Sequence, residues 1–238
     1  MAAIDATRML RAGLLDGVTL LLARAPEGAD STEARAAGAV HAACAGLGAR
    51  VIELTAGPQG SAHPFEEPEL EGEVDRALSA AGEIDMVVVD AAGLYSATLA
   101  AWSDPGDGAP GIPARGSAPL QSGAAGRAAL RACMDGSWNV ARASANRAFL
   151  APGRPGRILF LAPAPHAGRH AGAASAGLEN LARTLSIEWA RHRVTAVAIA
   201  PGDATGAIEL AALAAYLASP AGAYFSGCVL DLRGQAGG

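Results

Sequence analysis

A chain of 238 residues, about half of them apolar, has enough hydrophobic side chains to bury one large core. A formal net charge of −5 and a pI near 5.5 leave no electrostatic footprint for nucleic acid or for an anionic membrane surface. No apolar run approaches the length of a membrane span, and no basic segment precedes an apolar one near the N-terminus, so the cytoplasm is the expected location.

No linker rich in Pro, Gly and Ser separates two complete periodic blocks, and residues 1–238 are expected to form a single domain. The three cysteines, Cys44, Cys133 and Cys228, are far apart and set among apolar neighbours, as reduced, buried thiols are. No His/Cys/Asp cluster has ligand spacing, so no metal site is expected. All 18 basic residues other than histidine are arginines, and the chain has no lysine.

In chain order, residues 18–23 read as a first strand, Val-Thr-Leu-Leu-Leu-Ala. The turn after it holds one glycine, Gly28, between Glu27 and Asp30. Asp30 or Ser31 is expected to cap a helix over 33–47. A second strand covers 48–54, and 61–72, polar and proline-containing, reads as a loop. A helix carrying Val74 to Ala81 leads into an apolar strand over 84–90. From Leu94 to Gly123 the texture changes, and the turn-rich run 104–113 predicts an exposed loop insertion over about 94–123.

A long helix is expected over 125–150, then a short continuous apolar strand over 157–161 of the kind buried on both faces of a parallel sheet. Leu178, Leu181, Leu185, Ile187 and Trp189 fall mostly at three- and four-residue intervals and predict a helix over 176–192. Residues 194–200 form another buried strand, ended by Pro201-Gly202. A helix over 208–218 and a strand over 228–232 complete the chain. Strand, crossover helix and parallel strand make a right-handed βαβ unit. The fold class is therefore α/β, a doubly wound parallel sheet of the Rossmann type.

The run 176–190, Ala-Gly-Leu-Glu-Asn-Leu-Ala-Arg-Thr-Leu-Ser-Ile-Glu-Trp-Ala, followed by Val-Ala-Ile-Ala-Pro-Gly at 197–202, resembles the core of the short-chain dehydrogenases/reductases. Gly136-Ser137-Trp138-Asn139-Val140-Ala141-Arg142-Ala143 resembles that family's GxxNVxRA, and Asp90-Ala91-Ala92-Gly93 stands at its NNAG turn. The resemblance implies a cofactor, NAD or NADP, and a tyrosine acid/base whose pKa is lowered by a lysine four residues on. It also implies a serine that orients the substrate oxygen and an asparagine that supports a proton relay. In this chain those four positions are Ala171 for the tyrosine, Ser175 for the lysine, Pro163 for the serine and Cys133 for the asparagine.

The glycine-rich TGxxxGxG is likewise reduced to Gly28, and the ribose-binding position near Leu54 or Thr55 is not acidic. Glu53 falls one register early, on the other face of its strand. Of the cofactor-side motifs, Gly28, Gly93, Pro201 and Gly202 remain as vestiges. The substrate lid after Gly202 is shortened to about 203–207.

His166 and His170 flank the emptied position without a visible serine or carboxylate partner. His170 and Tyr95 are the substitute acid/base candidates, and Tyr224 is expected in the core. The leading expectation is a non-catalytic homologue with no cofactor, a pseudoenzyme serving as a structural or regulatory subunit. Its apolar helices 125–150 and 176–192 would pair with a second copy or an active paralogue. The alternative is an NAD(P)-dependent oxidoreductase for a hydroxyl or ketone substrate, with a rearranged site.

Overall fold

In the computed structural model the described residues are 10–25, 32–55, 67–103 and 123–234. Six strands, β1 (Thr19–Arg24), β2 (Arg50–Thr55), β3 (Met86–Val89), β4 (Gly156–Leu161), β5 (Val194–Ala200) and β6 (Cys228–Asp231), form one all-parallel sheet in the order β2-β1-β3-β4-β5-β6. Six α-helices accompany them among the described residues: α1 (Thr32–Gly46), α2 (Glu67–Ala81), α3 (Ala91–Ser103), α4 (Gly123–Ser144), α5 (Ala171–Glu188) and α6 (Ala207–Ala218).

Alternate residues of the central strands serve opposite layers. Leu21, Val87, Val89, Ile158, Phe160 and Ala198 pack with the helices α2 to α5. Leu20, Leu22, Val88, Leu159, Leu161 and Ile199 pack with α1 and α6. Burial on both faces is why β1, β3, β4 and β5 are continuous apolar runs in the sequence. The expected doubly wound parallel sheet is the observed architecture. β1 steps outward to β2, and β3 then returns on the opposite side of β1, which opens the crevice of an α/β sheet at the carboxyl ends of β1 and β3.

Several boundaries differ from the sequence reading. Residues 67–72, expected in a loop, form the first turns of α2. Pro68 is tolerated in the first turn, where its missing N–H has no intrahelical partner to lose, and Leu70, Val74 and Ala77 bury one face. Of the loop insertion expected over about 94–123, the first ten residues are helical. Residues 94–103 are the body of α3, held by buried Leu94, Tyr95, Thr98 and Leu99, while 104–122 lie outside the described residues.

Asp90 and Gly93 make a helix N-terminus in place of a free turn, the Gly93 N–H donating to Asp90 Oδ1 at 2.9 Å. The long helix expected to Leu150 is α-helical to Ser144 and continues as a π-turn over Ala145–Leu150, which seats Phe149 in the core against Gly156. α5 starts five residues before its expected N-terminus, because Ala171, Ala174 and Ser175 extend the buried face of Leu178 toward the N-terminus. It ends at Glu188, and a 3₁₀ turn over Ala190–His192 follows. The expected cap residues Asp30 and Ser31, and the vestigial Gly28, lie outside the described residues.

A half-buried arginine ties the two ends of the second layer together. Arg157, at the start of β4, donates from Nη1 to the carbonyls of Leu217 at 3.0 Å and Ser219 at 2.6 Å. The last carbonyls of a helix have no intrahelical donor, so the guanidinium completes the C-terminus of α6 and matches the negative end of its dipole.

Candidate functional site

The carboxyl edge of the sheet gathers nearly every position singled out in the sequence. Ala171 and Ser175 lie one turn apart on the buried side of α5, and Cys133 is buried on α4. Pro163 follows β4 and is buried as well. None of these side chains carries a group that ionises near neutrality. Burial pushes the Cys133 thiol far above its ordinary range, and the Asp90 carboxylate nearby adds to the shift.

Ser175 Oγ donates to Glu179 Oε1 at 3.5 Å, and Glu179 in turn meets Arg233 Nη1 at 2.9 Å. Arg233 also makes a two-pronged bond to Asp231, from Nε to Oδ1 at 2.8 Å and from Nη2 to Oδ2 at 2.8 Å. With no lysine in the chain, the cation that Ser175 reaches through Glu179 is an arginine from the segment after β6. It is engaged by two carboxylates rather than presented to a substrate.

The two substitute candidates meet, though not as an acid/base pair. Tyr95 is fully buried, and its hydroxyl accepts the backbone N–H of His170 at 3.2 Å. Burial raises the phenol's pKa against the smaller lowering effect of that N–H, and Cys133 adds to the rise. Gly168 makes this fit possible, since a Cβ there would stand 2.8 Å from Leu99 Cδ1 and 2.9 Å from the Tyr95 oxygen. The His170 ring rests on Gly126 of α4, where a Cβ would lie 2.7 Å from its Cδ2. Tyr95 and His170 therefore close the α3–α4–α5 junction.

A carboxylate does stand beside the other histidine, contrary to the sequence reading. His166 Nδ1 lies 2.9 Å from Asp203 Oδ1. Leu161 pairs in register with Ile199, so the segments that follow β4 and β5 emerge side by side. Between those segments and the first turns of α1, α3 and α6 lies a cleft of about 410 Å³, counting the part open to solvent. Ala92, Ala162, Pro201 and Leu210 are on its wall, and His166 and Thr205 are the polar side chains there among the described residues. Thr205 Oγ1 is already accepting the Gly202 N–H at 2.9 Å, which fixes the short turn between β5 and α6.

At the far end of the crevice, Glu53 faces α1 and not the cofactor edge, as its register predicts. Arg24 Nη1 approaches its two carboxylate oxygens at 3.2 and 3.1 Å, and His41 Nδ1 lies 2.6 Å from Oε1. Leu54 is buried in the core. Among the described residues no group of His, Cys, Asp and Glu is arranged to hold a metal ion. No described helix is long and apolar enough to cross a membrane.

Tyr224, expected in the core, is 91% exposed. It belongs to a 3₁₀ turn over Pro220–Tyr224 whose fixed points are the buried Gly222 and the ring of Phe225, which packs edge-on against Tyr216. The outward faces of the two helices expected to pair are less apolar than the sequence suggested. α4 presents Arg127, Arg131, Asp135 and Trp138, while α5 presents small and polar residues with Ile187. Their larger apolar residues are spent on the sheet.

No family model matches the chain, and no curated protein matches it by sequence. Solved structures do match it over nearly the whole length. The citronellol catabolism dehydrogenase of Pseudomonas aeruginosa PAO1 is 23% identical, with a TM-score of 0.65 over 94% of this chain and 96% of that one. A short chain dehydrogenase from Mycobacterium smegmatis is 22% identical, with a TM-score of 0.63 over 99% and 98%. Carveol dehydrogenase from Mycobacterium avium, solved in complex with NAD, is 18% identical, with a TM-score of 0.58 over 92% and 97%. The six-stranded parallel sheet with helices on both faces is thus the fold that this chain shares with short-chain dehydrogenases.

Proposed function

We propose that this chain is a non-catalytic protein on a short-chain dehydrogenase frame, acting as a structural or regulatory subunit beside a second copy or a catalytically complete relative. The observation that carries the reading is the pair Ala171 and Ser175. A phenol exchanges protons at neutral pH only with a cation close enough to stabilise the phenolate. Here the phenol's place is a buried methyl group, and the cation's place is a hydroxyl bound to Glu179. Tyr95 offers no replacement, because its hydroxyl is buried and engaged by the His170 N–H.

Contact with a partner would run through the outward faces of α4 and α5, where Trp138 and Ile187 are the large apolar side chains left in water. Isothermal titration with NADH and with NADPH tests the reading. Absence of binding at millimolar nucleotide is the expected result, and micromolar binding of either would remove the proposal.

A second reading is an NAD(P)-dependent oxidoreductase for a hydroxyl or ketone substrate with a rearranged site. It is favoured by the dehydrogenases that share the fold, one of them solved with NAD. On this reading His170 is the acid/base. Reduced nicotinamide would change its fluorescence on mixing with the protein, and His170→Ala would lower turnover at least tenfold. Unchanged turnover in that variant would eliminate this role for His170.

A further inference from the structure

Leu232 and Arg233, which follow β6, tie three parts of the fold together. The Leu232 N–H donates to the Ala200 carbonyl at 2.9 Å and carries the pairing of β5 with β6 one bond past the strand. The chain then lies directly on Gly202, where a Cβ would stand 2.6 Å from the Leu232 oxygen and 3.0 Å from Arg233 Cα. Arg233 folds back on Asp231, its backbone N–H donating to Oδ1 at 2.9 Å. That bond and the two from Nε and Nη2 orient the guanidinium, and its Nη1 reaches Glu179 on α5 at 2.9 Å.

Two features make this a contact that can open. β6 is four residues long, lies at the edge of the sheet and, among the described residues, pairs with β5 alone. Cys228, Val229 and Leu230 are only half-buried, so the segment belongs to the low-stability end of the molecule, where local opening precedes global unfolding. The Glu179 side chain, by contrast, is only 14% exposed, and a carboxylate so far removed from water is tolerated on α5 while a cation faces it.

We propose that Arg233 is the pin of a C-terminal strap. Leu232 and Arg233 open and close together with β6, and closure neutralises Glu179 and holds the first half of α5 against the sheet. The terminus thereby sets how firmly α5 is held, although strand and helix are far apart in sequence. The strap involves no covalent step, and it does not depend on whether the chain is catalytic.

Amide exchange of the full chain in native buffer, followed by mass spectrometry, tests this. Arg233→Gln is expected to speed exchange about tenfold both in β6 and around Glu179 in α5, with β1 and β3 unchanged. Glu179→Gln removes the charge that needs a counter-ion. It is expected to speed exchange in β6 while α5 stays protected, and it decides the matter alone if Arg233→Gln does not fold. The double variant is expected to behave as Glu179→Gln does, the second change restoring protection to α5.

Unchanged exchange in β6 in either single variant overturns the proposal, as does unchanged exchange in α5 in Arg233→Gln. Equal acceleration in β1 and β3 overturns it too, since that is global destabilisation and not the opening of a strap. So does loosening of α5 by Glu179→Gln, or a double variant whose α5 stays as loose as in Arg233→Gln.

Discussion

The Tyr95 hydroxyl accepts the backbone N–H of His170 at 3.2 Å, joining α3 to the residue that precedes α5. The first N–H groups of a helix region have no partner of their own, so this phenol does the work of a cap side chain. Tyr95→Phe would keep the packing of the ring and leave the His170 N–H without its acceptor. A loss of about 1 kcal/mol in urea unfolding is expected, with the m value unchanged. Stability equal to that of the parent would mean that water satisfies the His170 N–H when the phenol is absent.

Arg157 offers a larger effect from the same kind of accounting. Its guanidinium is mostly removed from water, and that burial lowers its pKa against the opposing pull of Asp85. Arg157→Met fills a similar volume and leaves the carbonyls of Leu217 and Ser219 without their donor. A destabilisation of about 2 kcal/mol is expected from chemical denaturation, as for the loss of charge-assisted hydrogen bonds in a partly buried setting. The effect should localise, so that amide exchange at the C-terminal turn of α6 accelerates more than exchange in β1. Uniform acceleration would contradict a capping role.

What the sequence made legible was the layer structure, and the reason is burial. A parallel strand covered on both faces must be apolar throughout, so residues such as Val87 to Val89 and Ile158 to Leu161 announce themselves without an alignment. The beginning of α5 was hidden because alanine and glycine carry almost no periodic signal. Ala171 and Ala174 are core residues that look neutral on paper.

Proline and acid residues disguised the start of α2 as a loop, although both are at home in a first helical turn. Ala171, Ser175, Pro163 and Cys133 could be counted off against a motif in the sequence, and all four are buried in the structure. What stands in their place was not legible. Asp203 reaches His166, and Arg233 reaches Glu179, only because the sheet order brings the ends of β4, β5 and β6 together.

The three thiols should separate by burial in a labelling experiment. Cys44 and Cys133 are fully buried, and burial pushes the Cys44 pKa up to about 12 and that of Cys133 higher still. The thiolate is the reacting form, so both are inert in the folded state at pH 8. Cys228, half-buried on the edge strand β6, has its pKa raised less, mainly by burial. A disulfide reagent at pH 8 is expected to label Cys228 slowly and the other two only after denaturation. Mass spectrometry of the native protein showing Cys133 modified before Cys228 would contradict the packing of α4.

Glu53 gives the molecule a stability that depends on acid. Partial burial acts to raise its pKa, but the hydrogen bond from His41 and the charge and hydrogen bonds of Arg24 together outweigh it, and the carboxyl titrates below its ordinary value of 4.5. A group whose folded pKa is depressed contributes stability above its unfolded pKa and loses it as pH falls through the folded one. The contribution is therefore intact at pH 7, begins to fade below about 4.5, and is gone once the folded carboxyl is protonated.

Because the carboxylate is only partly buried, solvent screens the pair, and Glu53→Gln is expected to cost under about 1 kcal/mol at pH 7. Thermal unfolding of the parent and of Glu53→Gln, followed from pH 7 to pH 3, should show two melting curves that start apart and converge in acid. High salt should narrow the gap at pH 7, since exposed ion pairs are screened within about 8 Å at physiological ionic strength and less above it. Curves that stay parallel down to pH 3 would show that the carboxylate of Glu53 does not supply this stability.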